Sequence, residues 1–303
     1  MIFSASRRTD IPAFFGEWLL ERLRRGELAV RNPMNNRQVT HFKFDPGSID
    51  CIVFWTKNPA AFMKRLHEID ELGYKYYFQF TITPYGTDIE QHIDKEHILD
   101  TFIRLSEKTG RHRVIWRYDP IIINERYSVG FHADQFGKMA EKLCNYTEKC
   151  VISFVDEYTF LSDSLRKYGI AELTPLQIES LAGQISRTLH ALSSTITLST
   201  CCEKAELGTY GIRHNRCIDG ELIAQITGVQ KNYGKDPSQR PECGCIPSRD
   251  IGTYNTCPHG CVYCYAGRGT KKDAGACNRD SLVLCDTIDT ARDTVRVVDL
   301  RQG

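Results

Sequence analysis

The chain has 303 residues, and 39 lysines and arginines nearly balance 38 aspartates and glutamates, for a net charge of +1. That balance excludes a protein drawn to nucleic acid or membrane by its overall charge, though not one with a local basic groove. No apolar run approaches the roughly 18 residues of a membrane span, and the opening MIFSASRRTDIPAFF lacks the basic, apolar and small-residue order of a secretion signal, so a cytoplasmic protein with no membrane partner is expected. In chain order, predicted strands over 2–6, 51–55, 76–82, 113–117, 151–155 and 195–200 alternate with amphipathic helices over 14–25, 60–72, 98–108, 132–143 and 174–192. Apolar strands separated by helices read as a parallel sheet covered by helices. Six such repeats over 1–202 predict a partial (β/α)6 TIM-like barrel, a size that suits a single α/β unit.

The stretch 203–249 is rich in Gly, Asn and Pro and reads as an irregular cysteine-containing subdomain. Residues 250–303 read as a strand and cysteine loop with a terminal segment that completes the barrel. Thirteen cysteines in a cytoplasmic chain do not suggest a disulfide framework, because thiols there stay reduced; those that cluster point to metal ligation.

Each predicted strand runs into polar residues that a core does not need. They are Ser6 to Asp10, Thr56 to Pro59, Thr81 with Thr83 to Tyr85, Arg117 to Pro120, Asp156 to Tyr158, and Cys201 to Glu203. A single such residue reads as a loop residue or helix cap. Six sets in a row place a common site at the carboxyl ends of the strands, where α/β barrels carry their chemistry.

The strongest motif is TCPHGCVYCYAG, in which Cys257, Cys261 and Cys264 have the spacing C-x-x-x-C-x-x-C. Three thiolates can hold three irons of a 4Fe-4S cluster and leave the fourth open to a substrate or cofactor. The alternative is a structural zinc loop using the same cysteines with His259 or Cys277, although zinc sites usually come as paired C-x-x-C units. The motif, with Tyr263 before its third cysteine, resembles the hallmark of the radical S-adenosylmethionine (SAM) superfamily. The resemblance implies that the open iron chelates SAM and that an electron from the cluster cleaves it to a 5′-deoxyadenosyl radical. A reducing partner such as flavodoxin or ferredoxin would supply that electron.

The strand ends resemble the spore photoproduct lyase-like branch of that superfamily: Thr9-Asp10-Ile11-Pro12, Thr56-Lys57-Asn58-Pro59, Phe80-Thr81-Ile82-Thr83 with Asp88-Ile89-Glu90, and Asp119-Pro120-Ile121. The likeness implies a circularly permuted barrel whose first strand, placed at 251–255, has moved with its cysteine loop to the carboxyl end. It also implies a nucleic acid or nucleotide-like substrate. The whole chain is similar to an uncharacterised prokaryotic family described only by a radical-SAM-like cysteine cluster near its carboxyl end.

Bound SAM needs a cation for its carboxylate, acceptors for its ammonium and a stacking wall for its adenine. Arg117 suits the carboxylate, Thr9 and Asp10 the ammonium, Thr81 and Thr83 the ribose, and Tyr265 the adenine. Lys57, Asp119 and Tyr158, with Arg7 and Arg8, are assigned to the substrate side, where each also reads as an ion pair or cap at the barrel rim.

A second group, one or both of Cys201 and Cys202 with Cys217, Cys243 and Cys245, predicts an auxiliary iron–sulfur cluster or a zinc site. Cys51, Cys144 and Cys150 read as small core residues, and Cys277 and Cys285 have no assigned partner. The expected function is a SAM-dependent radical enzyme. The alternative is a non-catalytic iron–sulfur or zinc protein with a structural or sensing role.

Overall fold

The computed structural model describes residues 1–267 and 273–302. Its strands are β1 (Ile2–Ala5), β2 (Glu27–Arg31), β3 (Gln38–Lys43), β4 (Cys51–Thr56), β5 (Tyr76–Thr81), β6 (Val114–Ile121), β7 (Lys149–Phe154), β8 (Thr197–Thr200), β9 (Arg213–His214), β10 (Arg249–Asp250) and β11 (Thr294–Asp299). An eight-stranded sheet runs β10-β1-β4-β5-β6-β7-β8-β9. Every pairing in it is parallel. A separate three-stranded sheet joins β2, β3 and β11.

The helices are α1 (Ile11–Phe14), α2 (Gly16–Arg25), α3 (Ala60–Met63), α4 (Leu66–Glu71), α5 (Ile98–Thr109), α6 (Val129–Leu143), α7 (Ser162–Lys167), α8 (Pro175–Ala191) and α9 (Gly220–Thr227). Among the described residues no helix is long and apolar enough to cross a membrane.

The period-2 alternation of strands divides the large sheet into two faces. Phe3, Ile52, Phe54, Phe78, Phe80, Trp116 and Ile152 enter the main core with Trp18, Leu19, Phe102, Phe136 and Leu181 from the helices. Their alternates Ile2, Cys51, Val53, Tyr77, Ile115 and Val151 face the other way and pack against Cys217, Ile218, Ile223, Ile226 and Ile246. From Cys217 onward the stretch expected to be irregular lies on the face opposite those helices and contributes α9, while its first part, with Leu207 and Ile212, joins the main core and contributes the edge strand β9.

Several boundaries depart from the expected ones for local reasons. The pattern over 14–25 divides at Phe15, which closes α1 and opens α2. Ser128 accepts from Phe131 N and starts α6 before His132. Thr174 is the cap of α8, in a capping box with Gln177, and not its first residue. The strand expected over 251–255 is instead Arg249–Asp250, in register with Phe3 and Ser4. One more ladder bond, from Ile251 N to Ser4 O at 3.0 Å, ends it. The Asp250 carboxylate accepts from Ser6 Oγ, Arg7 N and Gly252 N, turning the chain away from the sheet. At Gly252 a Cβ would lie 2.6 Å from Ser6 Cβ, so this close approach requires glycine. Cys277 and Cys285, left without partners in the sequence, are joined as a disulfide.

Candidate functional site

The loop carrying Cys257, Cys261 and Cys264 follows β10 and is clasped from two sides. From the β1–α1 turn, Asp10 Oδ2 meets His259 Nε2 at 2.8 Å and Lys57 N at 2.7 Å, while Asp10 Oδ1 accepts from Ala13 N at 3.0 Å. From the segment after β5, Val262 N donates to Ile89 O and His92 N to His259 O, both at 3.0 Å. A short antiparallel bridge pairs Glu90 with Cys261. Tyr265 Oη donates to Arg7 O at 3.0 Å.

Between these clasps sits a buried charge cluster. Glu90 meets Lys57 Nζ at 2.7 Å, Lys95 Nζ, Thr83 Oγ1 at 2.9 Å and Tyr263 Oη. Burial alone would raise the Glu90 carboxyl, but the two ammonium groups overrule it and hold it down to about 2.

The three cysteines open onto a cavity of about 430 Å³ at the carboxyl ends of the strands. Its wall brings together residues far apart in sequence: Arg7, Thr9 and Asp10 after β1, Trp55 and Lys57 at β4, Thr81 at β5, Arg117 and Asp119 at β6, Ser153 and Tyr158 at and after β7, and Cys201, Cys202 and Glu203 after β8. Cys217, Cys243 and Cys245 line the same cavity. Trp55 lies under two guanidiniums, Arg7 at 5.5 Å and Arg117 at 5.0 Å from its ring centre.

Burial pushes the Cys257 and Cys261 thiols up to about 12. Ligation there must therefore displace protons. In the second group, hydrogen bonds from the Cys201 and Cys245 thiols, with Arg117 nearby, hold Cys217 well below the usual thiol range. Cys243 is lowered to about 6 by the Cys245 thiol.

Among the described residues no three His, Cys, Asp or Glu side chains are arranged around a common point that could hold a metal ion. The donor chemistry of the loop nonetheless fits a cluster with three protein ligands, because such a cluster takes one thiolate per iron and the sulfurs need not converge. Two buried polar atoms bordering the cavity, Thr9 Oγ1 and His259 Nδ1, have no hydrogen-bond partner among the described residues. Of the two candidate fourth ligands, Cys277 is taken by Cys285 and His259 Nε2 by Asp10.

The cavity gathers Thr9, Asp10, Lys57, Thr81, Arg117, Asp119, Tyr158, Tyr265 and all the expected metal ligands. Several have other commitments. Asp10 already serves three partners, which suits a positioning residue better than a ligand for an ammonium. Thr83 is buried against Glu90 and does not line the cavity. Arg117 is buried in the cavity wall, where it is already bound to Asp119 and, at 3.0 Å, to Cys217 Sγ. Asp119 also accepts from Ser153 Oγ, and the Lys57 ammonium is held by Glu90 and by Tyr263 Oη at 3.0 Å. In the second group Cys201 lies 3.3 Å from Cys217, and Cys202 lines the same cavity.

Two cavity residues carried too little signal to be singled out in the sequence. Trp55 looked like strand core, and Glu203 like one more polar residue after a strand. Burial raises the Glu203 carboxyl to about 7, a range useful for proton transfer.

A family model described as "Domain of unknown function (DUF1848)" matches residues 2–266, a span that includes every cavity residue named above. No curated protein and no solved structure matches the chain.

Proposed function

The chain belongs to the DUF1848 family, and we propose that it is an iron–sulfur enzyme of the radical SAM type. The observation that carries this reading is the placement of Cys257, Cys261 and Cys264 together on one wall of a polar and aromatic cavity at the carboxyl ends of parallel strands. These cysteines would hold a 4Fe-4S cluster whose fourth iron binds SAM and supplies the electron that cleaves it. Thr9, Thr81 and Tyr265 border the space for SAM. Asp10 and the Glu90 cluster fix the loop, and Arg117 holds Asp119 and Cys217 in place. Glu203 would hold or release a proton near neutral pH.

We read the large sheet as a partial barrel in permuted order. The arrangement of β10 beside β1, with the cysteine loop after β10, supports that reading. The cavity volume bounds the part of a substrate that enters, and a small redox protein would serve as electron donor.

The test is metal analysis of anaerobically purified protein. The unaltered chain is expected to contain about four irons and four sulfides at this loop, and the Cys257→Ala, Cys261→Ala, Cys264→Ala triple variant to lose them. Iron and sulfide unchanged in the triple variant would overturn the assignment. Zinc released from the loop in place of iron would support the non-catalytic alternative.

A further inference from the structure

We propose that Cys201, Cys217, Cys243 and Cys245 form a second metal centre, bound through four thiolates, in the wall of the cavity that the cysteine loop lines. It involves none of the residues of the loop and stands or falls separately from the reading above. The four residues come from three separate stretches: the end of β8, the segment before α9, and the run between α9 and β10 that contains no helix or strand.

Cys201 Sγ lies 3.3 Å from Cys217 Sγ, and Cys243 and Cys245, two residues apart in the chain, line the same cavity. A tetrahedron with metal–sulfur bonds of about 2.3 Å has sulfur–sulfur edges of about 3.7 Å. The Cys201–Cys217 contact is close to that edge, and because no three of these side chains share a common point, binding would draw Cys243 and Cys245 in toward the pair.

The surroundings separate this group from ordinary buried cysteines. Cys51 and Cys150 are buried in apolar clusters with no side-chain N–H donor to their sulfurs among the described residues; Cys217, Cys243 and Cys245 share the Cys51 cluster but differ in what faces them. Here N–H groups point at the sulfurs instead: Arg117 Nη1 at 3.0 Å and Asn215 Nδ2 at 3.2 Å to Cys217, and Ile218 N at 3.3 Å to Cys245. N–H donors to sulfur are the outer shell that metal-bound thiolates need. A four-thiolate centre is also left with net negative charge, and the guanidiniums of Arg117 and Arg7 border the same space. The run between α9 and β10, which carries Cys243 and Cys245 and has no helix or strand, is the kind that a metal helps to fold.

The experiment uses the full chain carrying Cys257→Ala, Cys261→Ala and Cys264→Ala, purified anaerobically and analysed for zinc, iron and sulfide. About one zinc per chain, or iron accompanied by sulfide, is expected to remain, and the metal and sulfide found tell the two forms apart. Adding Cys201→Ser, Cys217→Ser, Cys243→Ser and Cys245→Ser should remove it, whereas adding Cys51→Ala should not. Because the larger variant can fail to fold, the triple variant is also stripped of metal and titrated with Co²⁺. A thiolate-to-cobalt charge-transfer band saturating at about one ion per chain is expected. A folded triple variant that holds neither zinc nor iron and gives no such band would overturn the proposal.

Discussion

At Glu90 a buried carboxylate meets Lys57, Lys95, Thr83 and Tyr263, and the last of these belongs to the cysteine loop. Its folded-state value, about 2, lies below the roughly 4.3 of an unfolded chain. A depressed carboxyl contributes stability that is present above the unfolded value and lost as pH falls through the folded one. Glu90→Gln should therefore lower unfolding free energy by about 3 kcal/mol at neutral pH. The difference from the unaltered protein should shrink between about pH 4.3 and 2. Urea unfolding across that range measures it, and parallel curves would show that the carboxylate is not stabilised by its ammonium partners. Neither the pairing nor the role of Glu90 was legible in the sequence, where Asp88, Ile89 and Glu90 stood out only as part of a resemblance. The partners come from three segments, the turn after β4, the β5–α5 connection and the cysteine loop, and no local pattern announces a contact of that kind.

The elements that hold the site are short, and side chains more than backbone decide where they end. Asp10 caps the four-residue helix α1 and at the same time ties β4 and the cysteine loop to the end of β1. Asp10→Ala removes a cap and two further hydrogen bonds and leaves His259 buried without that partner, a combined cost of roughly 3 kcal/mol. Amide exchange over 256–264 should accelerate while exchange in β5 and β6 stays slow. Unchanged protection in the loop would mean that the clasp after β5 suffices to hold it. At this scale the sequence was informative where strands are apolar and helices amphipathic, as in β4, β5, α5 and α8. It was silent on the three-stranded sheet, because β11 pairs with β3 across most of the chain and Val295 and Val297 are exposed. The two-residue strands β9 and β10 are likewise too short to leave a periodic signal.

Across the whole molecule, two cysteine groups line one cavity because parallel strands deliver their carboxyl ends to one side and the segment from Cys217 to Ile246 closes the face opposite the main helices. The alternation of strands and helices and the run of polar strand ends pointed to this convergence. The burial of Arg117 and the close approach of Cys201 to Cys217 did not show, since both depend on how the segment before α9 folds back. The central claim is that the iron left open by Cys257, Cys261 and Cys264 binds SAM, and the most direct measurement is the EPR spectrum of the reduced, reconstituted protein before and after SAM is added. A changed spectrum is expected in the unaltered chain. An identical spectrum with and without SAM, from protein holding its full iron and sulfide at this loop, would contradict it.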